Sequence, residues 1–338
     1  MGSHRRLAPS PGLDRGTTVA LGLLSAAAAA LGAVPATAAP HDDPTADVDR
    51  LYEEAERATE AYNEADSRAD ALRGRINTVQ DEIARQQERV NTLRESLGSL
   101  AGAQYRSGGL DPSLTLLLSD DPEDYLERAS VLDRLTARQA GRLKELQKAG
   151  RSLDQNRAQA SRKLEELERS RKAAAAHKKT VERKLAEARR LLDALPEAER
   201  AAYERAARSG RSGLPGPIGA AAASGRAAAA VAAARSALGS PYVWGANGPS
   251  GFDCSGLMQW SYAQAGVALP RTSQAQRHAG RQVPLSQARP GDLVLYRSDA
   301  SHVGMYAGNG QVIHAPHPGA PVRYDPVGMM PVSSVTRV

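Results

Sequence analysis

A chain of 338 residues has room for about two domains, and its single cysteine, Cys254, excludes an internal disulfide. Charged residues make up 24 % of the chain with a net charge of +6. Of that, +5 falls from Gly225 onward, where nine arginines face four aspartates, a balance suited to an anionic polymer such as a cell wall.

The N-terminus reads as an export signal. His4, Arg5, Arg6 and Arg15 form a basic region, residues 19–34 an apolar one, and Ala36, Thr37 and Ala38 a small-residue cleavage site. Cleavage is expected after Ala38, by the general secretory route, giving a signal peptide of residues 1–38. The apolar run is short for a membrane span, and no cysteine lies near it to carry a lipid. The protein is therefore expected outside the cell, associated with the wall, where nucleic acid is not a partner. A lone thiol in an oxidising compartment marks itself as reactive.

From Asp47 the chain turns helical, rich in Ala, Glu and Arg and free of proline until Pro112. Leu72, Ile76, Val79, Ile83, Val90, Leu93, Leu97 and Leu100 recur in steps of four and three, broken only at Gln86, which is the seam of a coiled coil. Ser107, Gly108, Gly109 and Pro112 then interrupt the helix, and Asp120, Asp121 and Pro122 restart one, so a hinge is expected near residues 102–124.

A second helix is expected from about Glu123 to Tyr203, with Leu143, Leu146, Leu153, Leu164, Leu167, Val181, Leu185, Leu192 and Leu195 on one seam. Gly150, Arg157, Arg171 and Lys178 fall on that register and weaken it. At 1.5 Å per residue the two helices span roughly 80 and 120 Å. An antiparallel pair then leaves a surplus of the second, which must pack on a second copy, a partner or the C-terminal domain. The helical region is assigned to residues 39–207, and residues 208–224, rich in Gly, Pro, Ser and Ala, to a flexible linker.

Residues 225–338 form the second domain. An Ala-rich helix is expected over residues 226–238. Gly251, Phe252 and Asp253 then lead into Cys254, after which Leu257, Met258, Trp260, Tyr262 and Ala263 recur at helical spacing. Cys254 thus opens a helix, where free N–H groups and the helix dipole stabilise a thiolate and can receive an oxyanion.

Short apolar or alternating runs follow at residues 292–297, 302–307, 311–315, 322–324 and 334–338, with links too short for crossovers. They imply an α+β domain with an antiparallel sheet. His302 and His314 lie on two of these strands, joined at Gly308, Asn309 and Gly310 as a hairpin, and can stand side by side. One histidine can activate the thiol while the other holds the first one's ring in the right tautomer and orientation. His314 and His317 flank Pro316, which disturbs the strand, and no second cysteine or acidic cluster lies nearby, so neither a metal nor a cofactor is expected.

Several segments of this domain carry a family likeness: Pro241-Tyr242-Val243-Trp244-Gly245, Phe252-Asp253-Cys254-Ser255-Gly256-Leu257, Leu269-Pro270-Arg271-Thr272-Ser273, Pro290-Gly291-Asp292-Leu293, His302-Val303-Gly304-Met305-Tyr306 and Val312-Ile313-His314-Ala315. Over about 110 residues they resemble, in order, the motifs of the NlpC-type cell-wall cysteine peptidases. The resemblance implies a papain-like fold and cleavage of the bond from the γ-carboxyl of D-glutamate to a diamino acid, usually diaminopimelate, in peptidoglycan stem peptides. It further implies Cys254 as nucleophile, His302 as general base, His314 as the orienting residue and Tyr242 beside the oxyanion. Asp253, Ser255, Arg271 and Ser301 match positions near the substrate groove.

The stretch from Ala103 through Leu132 resembles the hinge of CwlO-like and PcsB-like hydrolases, which implies the extracellular part of an FtsX-like membrane protein as a partner. Two other readings stay open: an amidase or acyltransferase using the same thiol, and a non-enzymatic wall or division scaffold. The surplus helix and the linker raise the expectation that the helical region restrains the enzyme.

Overall fold

The computed structural model describes residues 44–106, 122–208 and 224–338. The expected export signal, the core of the hinge and all but the ends of the linker lie outside the described residues. Helix α1 (Pro44–Arg106) and helix α2 (Pro122–Ala194) run antiparallel along each other. Arg142 of α2 donates to Ser96 of α1 at 2.7 Å, Arg157 to Gln87 at 2.8 Å, and Ser170 to the Ala65 carbonyl at 2.7 Å, with α1 descending as α2 ascends.

On α1 the seam is the one the spacing implies. Leu72, Ile76, Val79 and Val90 are buried, and the column continues toward the N-terminus through Val48, Leu51, Ala55, Ala58, Ala65 and Ala69. On α2 the leucines mislead. One heptad column, which includes Leu146, Leu153, Ala174, Val181 and Ala188, is shared with the expected register, but the second runs through Ala149 and Ser170. Leu143 and Leu164 are 49 % and 50 % exposed, and Arg157, Arg171 and Lys178 stand in solvent, off the seam. Small side chains at Ala149 and Ser170 let the backbones approach closely enough for the hydroxyl of Ser170 to reach across. A search for large apolar residues passes over such positions.

The second helix also ends earlier than expected. Pro196 has no N–H for the helical bond and its ring collides with the preceding turn, so α2 stops at Ala194 and a short α3 (Glu197–Arg208) begins afresh. With 63 and 73 residues, α1 and α2 are more nearly matched than expected, and the remainder, α3, folds onto the base of α1. Tyr203 donates to Asp49 there at 2.6 Å. The base of α1 in turn packs on the C-terminal domain.

That domain is α+β with a wholly antiparallel sheet, as expected. Helix α4 (Gly225–Ser236) is capped by Ser224, whose Oγ accepts from the Ala227 N–H. Helix α5 (Cys254–Gln264) and the single turn α6 (Ser273–Gln276) follow. The strands are β1 (Arg281–Val283), β2 (Leu293–Tyr296), β3 (His302–Gly308), β4 (Gln311–His314), β5 (Arg323–Pro326) and β6 (Val332–Arg337), in the order β1-β6-β2-β3-β4-β5. Strand β1, three residues long, is too short for periodicity to reveal.

One face of the sheet (Leu293, Leu295, Val303, Met305, Ile313) buries against α4 and α5 through Ala230, Val231, Leu257, Met258 and Tyr262. The other face holds Val294, Tyr296, Val312 and Val335. At roughly 25 cal/mol per Å² this apolar burial supplies the main folding force, and it sets the N-terminus of α5 beside the start of β3 and the end of β4.

Candidate active site

Cys254 is the first residue of α5. Asp253 is its N-cap, with Oδ1 accepting from the Gly256 N–H at 2.7 Å. A Cβ at Gly256 would collide with the Ala246 carbonyl oxygen, so glycine is needed where the first helical turn meets that loop. The Asp253 carboxylate also accepts from the Gly245 N–H at 3.0 Å and from both Arg271 guanidinium nitrogens, at 3.0 and 2.6 Å. Asp253 and Arg271 therefore fix the helix start. Arg271 also donates to Ser255 Oγ at 2.9 Å.

His302 opens β3, paired with Tyr296 of β2, and His314 closes β4. The hairpin brings them together with perpendicular rings and His302 Nε2 2.8 Å from His314 Nδ1. The Cys254 sulfur and a ring nitrogen of His302 lie within 4.8 Å of one another. All three residues that the strand and helix patterns single out thus meet at one buried point. Tyr242 is buried on the segment bridged to Phe252, and lines the same region as Glu56. Ser301 Oγ accepts from Arg297 at 3.2 Å.

A fourth residue extends the line. His314 Nε2 lies 2.8 Å from Asp325 Oδ2, which also accepts from Arg323 Nε at 2.8 Å, and Arg323 donates on to the Ala207 carbonyl of α3. Asp325 is legible only once strand register is known, since the pairing of Val312 with Asp325 and His314 with Arg323 is what sets it beside the ring.

The site is not empty of protein. Glu56, Glu60 and Asn63 of α1, spaced to share one helical face, enter it at 5 %, 2 % and 2 % exposure. Glu56 contacts His302 Nδ1 and accepts from Arg297 at 2.6 Å. Glu60 accepts from Ser255 Oγ at 2.6 Å, from the Ser273 N–H at 2.8 Å and from Cys254 Sγ at 3.6 Å. Asn63 donates to Asp253 at 3.1 Å. Around them Tyr52 stacks on His317 at 4.7 Å, Tyr62 meets Trp244 edge-on at 5.4 Å, and Glu53 lies 3.6 Å from Arg297. Nothing in a heptad pattern separates Glu56 and Glu60 from the other glutamates of α1.

The inserted carboxylates reverse the electrostatics expected at this helix N-terminus. Burial, and then the charges of Glu56, Glu60 and Asp253, push the Cys254 thiol well above its ordinary value, so it stays protonated. Burial also raises the Glu56 carboxyl, but His302 and Arg297 outweigh it and bring the pKa down to about 2. Glu60 goes the other way: burial, then the neighbouring Asp253 charge, lift it to about 8. Burial lowers His314 to about 4 against the pull of Asp325, while Asp325, despite its own burial, is held low by His314 and Arg323. Thiol, imidazole, imidazole and carboxylate in line can perform nucleophilic acyl transfer. Glu56 is in contact with His302, and Glu60 lies against the Cys254 thiol.

Residues 239–335 match the family model described as the NlpC/P60 family. A probable endopeptidase of Corynebacterium glutamicum is 49 % identical over 104 residues, 31 % of this chain and 50 % of the relative. The probable endopeptidase p60 of Listeria monocytogenes is 52 % identical over 94 residues, 27 % of this chain and 19 % of that protein. The chain therefore spans half or less of the length of these curated relatives. Among solved structures, the NlpC/p60 domain of the peptidoglycan hydrolase SagA is 39 % identical, with a TM-score of 0.32 over 33 % of this chain and 98 % of that one.

Proposed function

We propose that this chain, whose residues 239–335 belong to the NlpC/P60 family, is an exported cysteine peptidase of the cell wall that its own helical arm holds inactive. The meeting of Cys254, His302 and His314 beneath the two carboxylates of α1 carries the reading. The endopeptidase names of the relatives support it.

Once α1 withdraws, His302 Nδ1 is free to take the thiol proton, and the loss of two nearby carboxylates lowers the cost of a thiolate at the α5 N-terminus. The thiolate attacks the amide carbonyl of a stem peptide. The Cys254 N–H and the Tyr242 hydroxyl stabilise the oxyanion. His302 then protonates the leaving amine, and after that activates the water that releases the acyl-enzyme. Ser255, Arg271, Asp253 and Ser301 border the groove. The bond proposed is that from the γ-carboxyl of D-glutamate to diaminopimelate. An FtsX-like extracellular domain gripping the far end of the rod is the proposed means of withdrawal.

Purified peptidoglycan digested with the full chain, with Glu56→Ala/Glu60→Ala, and with that double variant carrying Cys254→Ala tests both parts, with the new peptide ends identified by mass spectrometry. The double variant is expected to release free diaminopimelate amino ends that the Cys254→Ala version does not. Identical products from those two would end the peptidase reading. Equal rates from the full chain and the double variant would end the reading of an inhibitory arm.

A further inference from the structure

We propose that Asp325 is a positioning residue of the same site, setting the tautomer of His314 and through it the ring of His302, so that the catalytic line has four members. This rests on the peptidase reading above. The geometry supplies the argument. His314 is 1 % exposed and sits between two partners, His302 Nε2 and Asp325 Oδ2, each at 2.8 Å. An ionised carboxylate only accepts hydrogen bonds, and Arg323, at 2.8 Å from the same oxygen, keeps Asp325 ionised.

The His314 proton must therefore lie on Nε2. A neutral imidazole has only one, so His314 Nδ1 is a lone pair. It accepts from His302 Nε2, which must then be the protonated nitrogen of that ring. The remaining nitrogen, His302 Nδ1, is left as the base facing the thiol once Glu56 departs. Without the carboxylate the His314 proton can move to Nδ1, where it competes for His302 Nε2. The proton of His302 is then driven to Nδ1, and the base is lost. Burial, which favours neutral His314 around pH 7, keeps this chain of single protons in force.

Asp325→Asn and Asp325→Glu, placed in the full chain already carrying Glu56→Ala/Glu60→Ala, test the proposal. Steady-state kinetics on a soluble stem peptide and ¹⁵N-histidine NMR, which reports which ring nitrogen holds the proton, are the readouts. Asp325→Asn is expected to lower kcat on the order of 100-fold, with KM changed less than about twofold. The loss is smaller than the roughly 10⁴-fold that follows removal of a carboxylate bonded directly to a catalytic base, because His314 stands between Asp325 and His302. The acidic limb of the kcat/KM profile should move to lower pH as the neighbouring negative charge disappears. The His314 resonances should leave the Nε2–H pattern, and Asp325→Glu should restore it with part of kcat.

Unchanged kcat and an unchanged tautomer in Asp325→Asn overturn the proposal while leaving the peptidase reading intact. A fall in kcat with the tautomer unmoved and no rescue by Asp325→Glu marks a merely structural residue and overturns it as well. A parent that cuts nothing defeats the peptidase reading, and the positioning role with it, whatever the tautomer.

Discussion

The base and the distal half of α1 are built from the same kind of sequence and meet different surroundings. Over residues 72–100 the helix buries one column, Leu72, Ile76, Val79 and Val90 foremost, and leaves its glutamates and arginines in water. Over residues 48–63 it buries that column and a second face as well, on which Glu56, Thr59, Glu60 and Asn63 are at 5 % exposure or less. One stripe is all a two-helix rod requires. A second, polar buried stripe is costly, since each buried ion loses several kcal/mol of hydration unless it is paired. Here Glu56 is paired with His302 and Arg297, and Glu60, which burial and the Asp253 charge keep protonated up to about pH 8, is hydrogen-bonded to Ser255 and the Ser273 N–H. The distal stripe serves the rod, and under the proposed function the basal polar stripe serves the latch.

Glu56 is where the base of α1 departs furthest from the distal half. Glu56→Gln removes a charge facing His302 and Arg297, and charged hydrogen bonds of this kind are worth about 1.5–3 kcal/mol. Under the proposed function, wall-cleaving activity of the full chain should rise on the order of 10- to 100-fold. An equivalent change at a solvated glutamate of the distal half should leave the rate within about twofold, as a turbidity assay on isolated cell walls would show.

Acidity should sharpen the same contrast, because the two latch carboxylates are shifted in opposite directions. Glu60 is raised to about 8 when docked, so its contribution is complete below the ordinary carboxylate range and is lost as pH rises through about 8. Glu56 is lowered to about 2, so its contribution is present above the ordinary range and is lost as pH falls through about 2. Docking is therefore expected to be tightest in mildly acidic solution and to loosen toward alkaline pH. The ratio of Glu56→Ala/Glu60→Ala activity to full-chain activity should therefore fall by more than about tenfold between pH 6 and pH 9. Glu60→Gln, which mimics the protonated acid, should flatten that change, and a ratio that stays level in the unaltered chain would exclude Glu60 as its proton carrier.

Stability changes should follow the seam and not the count of leucines. Leu153→Ala, at a buried seam position, is expected to cost about 2–4 kcal/mol by leaving a cavity. Leu143→Ala, at a residue 49 % exposed, should cost about 0.5 kcal/mol or less. Urea unfolding followed by circular dichroism separates the two. Equal losses would restore the register that the leucines suggest.

Much of this architecture is legible before folding. The α1 seam, the helix opened by Cys254, the alternating strands and the histidine hairpin are local or periodic features, and each is set by side-chain spacing against one partner surface. The α2 register is not legible in the leucines because Ala149 and Ser170 pack closely by being small, and smallness leaves no hydrophobic signal. Asp325 was missed because a residue on β5 acquires its meaning only through its register with β4.

The sequence by itself determined which side chains meet at the candidate site, Cys254 at a helix start and His302 and His314 on a hairpin, because short motifs and local periodicity set where each of them lies. Only the tertiary structure decided what covers that chemistry. Glu60 touches Cys254 across 194 residues, and a contact of that separation has no period and no motif. It exists because the base of α1 has two faces to bury and the candidate site offers the partners that Glu56 and Glu60 need once buried.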